Sequence, residues 1–138
     1  MPYLKLYYHI VWTTWKREPM LASGNCRAIY SAIREKTEKL NGIVFALNGM
    51  EDHVHLVTTM PATLSLAEFV RQIKGFSAYI ATHLPDHDPV FQWQSEYGAL
   101  TVSETHLESV VAYVDRQQEH HAAGTLHPKL EHFVSDNP

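Results

Sequence analysis

Between residues 43 and 60 the chain encodes a hairpin, and an amphipathic helix stands on either side of it. Ile43–Asn48 and His53–Met60 are rich in strand formers, and Gly49-Met-Glu-Asp52 between them is a turn. Before the hairpin, Ala28, Ile29, Ala32, Ile33 and Leu40 recur at helical spacing, with Asn25 or Ser23 as N-cap and Asn41-Gly42 as the stop. After it, Leu66, Phe69, Val70, Ile73, Phe76 and Ile80 make a second stripe over about 66–84, opened by a Ser65/Glu68 capping box. Outside both helices lie strand-like stretches at 3–14 and near 97–102. The first is apolar on both faces of its middle, as a central strand requires. Connections in a small domain are short and cross over with one hand. The order strand, helix, strand, strand, helix, strand therefore predicts an α+β domain, the ferredoxin-like or RRM-like split βαβ with one antiparallel sheet and helices on one face. An extra helix over about 106–121 is anchored by Leu107, Val110, Val111 and Val114. The expected division is a single domain over 1–123 and a loosely held extension over 124–138, where periodicity fades.

Bulk properties narrow the class. A chain of 138 residues supports one hydrophobic core. No apolar run approaches the roughly 20 residues that span a bilayer, and the N-terminal stretch lacks the pattern of a signal peptide. Cys26 is alone and cannot form an internal disulfide, so the expected compartment is the cytoplasm. A formal net charge of −4 argues against a general nucleic-acid binder, although ten histidines can gain charge beside an anion.

The chemistry concentrates in two places. His53-Val54-His55 sits on a strand, where alternate side chains share a face, so the two imidazoles point the same way and form half of a metal site. On the last helix Tyr113 and Gln117 are four residues apart and therefore stack on one side. Two readings stand. Tyr113 packs the core and the histidines face solvent; or Tyr113 is a nucleophile and Gln117 lends an amide oxygen as third ligand to the histidine pair. Mixed oxygen and imidazole ligands suit Mg²⁺ or Mn²⁺ better than Zn²⁺.

The ordered motifs resemble those of the HUH nucleases, in particular their single-tyrosine transposases from small insertion sequences and REP-associated relatives. His53-Val-His55 is similar to the family's histidine motif, and Tyr113-Val-Asp-Arg-Gln117 to its Tyr-x-x-x-Gln motif. Tyr8-His-Ile-Val-Trp12 with Lys16-Arg17, Arg71-Gln-Ile-Lys74-Gly-Phe-Ser77, and Phe91 to Ala99 resemble further family blocks, as does Gln118-Glu-His-His121. The resemblance implies a DNA transposase of the prokaryotic cytoplasm. Tyr113 would attack single-stranded DNA near a hairpin, leaving a 5′-phosphotyrosine and a free 3′-OH, with Mg²⁺ or Mn²⁺ held by His53, His55 and Gln117. It also implies a homodimer joined edge to edge through its sheets, in which the tyrosine helix can serve the partner's site in trans. Lys16, Arg17, Arg71 and Lys74 are candidate phosphate contacts. Trp93 and Tyr97 are expected in the core or stacked on bases, His9 in or beside the core, Asp52 in a turn or behind an imidazole, and His120 and His121 on the surface. The alternative is a domesticated hairpin-binding protein that no longer transposes; a second rival is an unrelated metal hydrolase built on the histidines.

Overall fold

The computed structural model of the chain describes residues 3–21, 24–84 and 90–131. Its elements run β1 (Tyr7–Thr13), α1 (Cys26–Lys39), β2 (Val44–Met50), β3 (His53–Thr59), α2 (Leu66–His83), β4 (Gly98–Val102), α3 (Leu107–Asp115), α4 (Gln117–Ala123) and α5 (Pro128–Glu131). The strands form one sheet in the order β2-β3-β1-β4. Every neighbouring pair is antiparallel. The split βαβ arrangement is therefore present: β1 and β2 run parallel with β3 between them, and β1 is central.

Alternation along the strands divides the sheet into two sides. Ile10, Trp12, Val54 and Leu56 point towards α1 and α2 and join Ile29, Ile33, Phe69, Val70 and Ile73 in the main core. The other set of β3 side chains, His53, His55 and Val57, faces the opposite way. There Val57 packs with Ala46 and with Val114 of α3 in a smaller cluster. β3 is thus covered on both sides, and His53 to Thr58 are all buried.

Local signals explain the boundaries. Ser65 accepts from the Glu68 N–H at 3.1 Å, as the capping box requires. Asn25 does not cap α1 through its side chain; its amide donates to the Met20 carbonyl at 3.0 Å instead, and Ser23 lies outside the described residues. Asn41 closes α1 in the left-handed conformation, φ 68°. A Cβ at Gly49 would stand 2.1 Å from the His53 carbonyl oxygen, so only glycine fits where β2 passes the start of β3.

Two regions differ from the sequence expectation. The last helix is interrupted at Arg116 (φ −106°, ψ 28°), which separates α3 from α4. The chain after Gly124, expected as an extension, folds back over its described part. Gly124 adopts φ 69°, the Thr125 N–H donates to the His120 carbonyl at 3.0 Å, and α5 returns to the sheet.

Candidate metal and nucleophile site

The side of the sheet opposite α1 and α2 gathers the polar residues. His53 and His55 are 2% and 0% exposed, so each ring nitrogen needs a partner. The Nδ1–H of His53 donates to Asp52 Oδ1 at 2.7 Å. Asp52 Oδ2 accepts from Arg17 Nε at 3.1 Å. Behind His55, Nδ1 faces His9 Nε2 at 2.8 Å, and the two rings stack with centroids 5.0 Å apart. Both histidines are held from behind through Nδ1, which leaves both Nε2 atoms turned towards the same space.

That space is filled by oxygen atoms from the last helices. Gln117, fully buried, places Oε1 3.1 Å from His53 Nε2. Glu131 of α5 places Oε1 3.1 Å from His55 Nε2 and 3.5 Å from His53 Nε2. Its second oxygen, Oε2, accepts from the Tyr113 hydroxyl and from Gln117 Nε2, the latter at 3.2 Å. The Tyr113 oxygen also accepts from the His127 N–H at 3.0 Å, and its ring stacks on His120 at 4.4 Å. His121 donates from Nε2 to Gln117 Oε1 at 2.8 Å.

The electrostatics follow from this packing. His53 Nδ1 carries its proton towards Asp52, so a neutral ring would aim a lone pair at two oxygen acceptors. Positive charge must lie between them, as a proton or a metal ion. Burial opposes the charged ring, but hydrogen bonds to Glu131, Asp52 and Gln117 prevail and raise the His53 pKa. For His55 burial dominates and lowers it. Burial alone would raise Glu131, yet hydrogen bonds from His53 and His55 hold its carboxyl far below the usual range. Tyr113 is pushed up to about 12 by burial and by its bond to Glu131. The donor set fits a hard divalent ion: two imidazoles, one carboxylate and one amide oxygen converge. His53, His55 and Glu131 each offer a ligand atom, all within 4.8 Å of one another.

The fold therefore brings together His53, His55, Tyr113 and Gln117, four residues read from the sequence, within one chain. It adds Glu131 and His9, and moves His120 and His121 beside Tyr113 and Gln117. Asp52 takes the place behind an imidazole. Of the four candidate cations, Arg17 stands behind the site through Asp52 and the other three lie elsewhere. Arg17 pairs with Asp52, and Lys16 lies exposed in the turn after β1. Arg71 Nε donates to Glu68 Oε2 at 2.8 Å. Lys74 donates to the Gln94 and Glu96 carbonyls. Arg71 and Lys74 line a groove of about 430 Å³ between α2 and residues 91–97, on the far side of the sheet from the histidines. Trp93 belongs to the core, 6% exposed, and donates from Nε1 to Ser77 Oγ at 2.9 Å.

The fold is that of a class of transposases. A crystal structure described as a transposase from Deinococcus radiodurans R1 superposes with a TM-score of 0.66 at 26% identity, covering 85% of this chain and 95% of that one. A REP-associated tyrosine transposase, solved bound to a REP hairpin, superposes with a TM-score of 0.64 at 15% identity, covering 91% and 76%. In sequence, the ISDra2 transposase TnpA of Deinococcus radiodurans is 26% identical over 121 residues, 83% of this chain and 86% of that protein. Residues 3–117 match the family described as "Transposase IS200 like", and the chain belongs to that family. Among the described residues no helix is long and apolar enough to cross a membrane.

Proposed function

We propose that the protein cleaves and rejoins single-stranded DNA at hairpin-marked ends, with Tyr113 as nucleophile and Mg²⁺ or Mn²⁺ held by His53, His55 and Gln117. One observation carries this reading. The two oxygens of a single carboxylate, Glu131, touch the histidine pair on one side and the Tyr113 hydroxyl on the other. The metal ligands and the phenol oxygen therefore lie within the reach of one phosphodiester, so a scissile phosphate entering beside Glu131 can meet a bound ion and the phenol oxygen at once.

The step is an in-line exchange. The Tyr113 oxygen forms a bond to phosphorus, the bond from phosphorus to the 3′ oxygen breaks, the phenol proton passes to solvent water, and the released 3′ oxygen takes up a proton from solvent. A 5′-phosphotyrosine and a free 3′-OH result. The bond energy is kept in the ester, so another 3′-OH can reverse the step and join new ends. When bound, the cation makes the phosphorus more electrophilic and neutralises charge that develops on its oxygens. The protein supplies the rest. Asp52 and His9 hold the two imidazoles from behind, and α3 holds the phenol oxygen towards them. DNA phosphates meet Lys16, Arg17, Arg71 and Lys74, and a second copy of the chain joins through a sheet edge.

The test uses labelled single-stranded hairpin DNA from the flanks of the gene, with Mn²⁺ or Mg²⁺, on a denaturing protein gel. Wild type gives a labelled protein band that chelator abolishes. Tyr113→Phe, which removes only the hydroxyl, gives none. A band that survives in Tyr113→Phe moves the nucleophile to another residue. Tight hairpin binding without a wild-type band makes the protein a binder that no longer cuts.

A further inference from the structure

Sequence motifs supply three ligands for a cation, His53, His55 and Gln117. None of them carries a formal charge when the rings are neutral, and none belongs to the chain after Gly124. Glu131 does both. We propose that Glu131 is a working ligand of the metal centre, its Oε1 binding the ion and its Oε2 holding the Tyr113 hydroxyl, so that the C-terminal segment completes the site. This rests on the reading that the histidine pair binds a divalent cation.

Geometry supports it first. Ligand bonds of roughly 2.0–2.2 Å place neighbouring ligand atoms about 3 Å apart at right angles and about 3.4 Å apart in a tetrahedron. Glu131 Oε1 is 3.1 Å from His55 Nε2 and 3.5 Å from His53 Nε2, and His53 Nε2 is 3.1 Å from Gln117 Oε1. These three separations match those between neighbouring ligands of one ion.

Charge supports it independently. Asp52, the other carboxylate on His53, is balanced by Arg17 at 3.1 Å. Glu131 has no basic partner of that kind among the contacts it makes; its neighbours there are three histidines, a phenol and an amide. A carboxylate whose side chain is 17% exposed needs a counter-charge, and the ion supplies it. Hard ions such as Mg²⁺ and Mn²⁺ favour an anionic oxygen over an amide.

Anchoring is the third support. α5 does not reach the site by a slack tether. The His127 N–H donates to the Tyr113 oxygen, and the Thr125 hydroxyl and N–H both bond His120. The segment that carries Glu131 is thereby fixed to α3 and α4, the helices that carry Tyr113 and Gln117.

The decisive measurement is Mn²⁺ affinity, by titration calorimetry or by the loss of the free-ion EPR signal, on the full chain without DNA. Wild type is compared with Glu131→Gln, which keeps the shape and removes the charge, and with His55→Ala, which shows that the signal reads this site. Melting in chelator checks that each variant is folded. Glu131→Gln is expected to bind Mn²⁺ at least about tenfold more weakly, since even a group that only orients a ligand is worth that much. Its phosphotyrosine yield should fall at limiting Mn²⁺ and recover in excess. Equal Mn²⁺ affinity in Glu131→Gln and wild type, with His55→Ala impaired, overturns the proposal. So does a phosphotyrosine yield that rises in Glu131→Gln at every Mn²⁺ concentration, because Glu131 would then be an anion standing in the place of the DNA phosphate. Wild type that binds Mn²⁺ through Glu131 but forms no adduct leaves this proposal standing and sinks the cleavage reading instead. No Mn²⁺ bound by wild type sinks both.

Discussion

The two sides of the β3 strand are equally buried and built on opposite principles. Towards α1 and α2 it presents Val54 and Leu56, both fully buried among Trp12, Phe69 and Ile73. Towards α3 it presents His53 and His55, buried as deeply but satisfied by Asp52, His9, Gln117 and Glu131. The first side holds the fold by removing apolar surface from water. The second has only a small apolar cluster around Val57 and Val114, and spends its interior on charge and hydrogen bonds. Stability and chemistry are therefore separated by a single-residue alternation, and substitutions on the two sides should report on different quantities.

The largest effect on stability belongs to the helical side. Phe69 is fully buried in the main core. Phe69→Ala removes a large ring and leaves a cavity, and should cost about 3–5 kcal/mol in denaturant unfolding. Mn²⁺ affinity, measured where the variant is still folded, should be unchanged. A loss of affinity as large as the loss of stability would show that the two sides are not separate.

The histidine side should reveal itself through pH. Burial, aided by the neighbouring His55, pushes His9 down to about 3 from 6.5. Between those values the unfolded chain binds a proton that the folded chain refuses. Stability from this group is whole above about pH 6.5 and falls as pH drops towards 3, by up to about 1.4 kcal/mol per pH unit. His53 works in the opposite direction. Its pKa is raised, so its contribution is complete below the free imidazole value and is lost as pH rises through the folded one. The difference between wild type and His9→Phe isolates the first effect: unfolding between pH 6.5 and 4 should depend less steeply on pH in the variant. Parallel curves would remove His9 from the account.

Most of this frame could be read from the sequence because it is written in short periods. The alternation that put Val54 and Leu56 on one side and the histidines on the other is the two-residue period of a strand. The helices were marked by their apolar stripes and, at α2, by Ser65 with Glu68. His9 could have been placed more closely, since pairing β1 with β3 sets Val11 opposite His55 and turns His9 to the same side. Glu131 could not. It lies 76 residues from His55, and its approach depends on the break at Arg116 and the left-handed Gly124, neither of which a helical pattern announces. Pro128 as a helix start with an acid in the first turn was the only local signal. A contact made by a short return of the chain carries no periodicity, so no local pattern in the sequence marks it.

The smallest effect on stability tests whether the helical side of the sheet contributes to DNA binding. Arg71 and Lys74 share one face of α2 and border the groove beside residues 91–97, with apolar walls that include Val70 and Ala78. Arg71 is exposed, and its pairing with Glu68 spans three residues on the helix surface. Such a pair is worth little in water, so its release to a DNA phosphate costs little. Arg71→Ala should leave the melting temperature and the Mn²⁺ affinity unchanged. It should weaken binding of hairpin DNA at low salt and lower the slope of log affinity against log salt concentration by about 1, as expected when one phosphate contact is lost. Lys74 is a different case. Its ammonium is partly buried, which lowers its pKa, and it already bonds the Gln94 and Glu96 carbonyls. Lys74→Met should therefore disturb the 91–97 segment as well as the salt slope. If Arg71→Ala alters neither affinity nor slope, the helical side serves the fold alone, and all DNA contacts belong with the histidines.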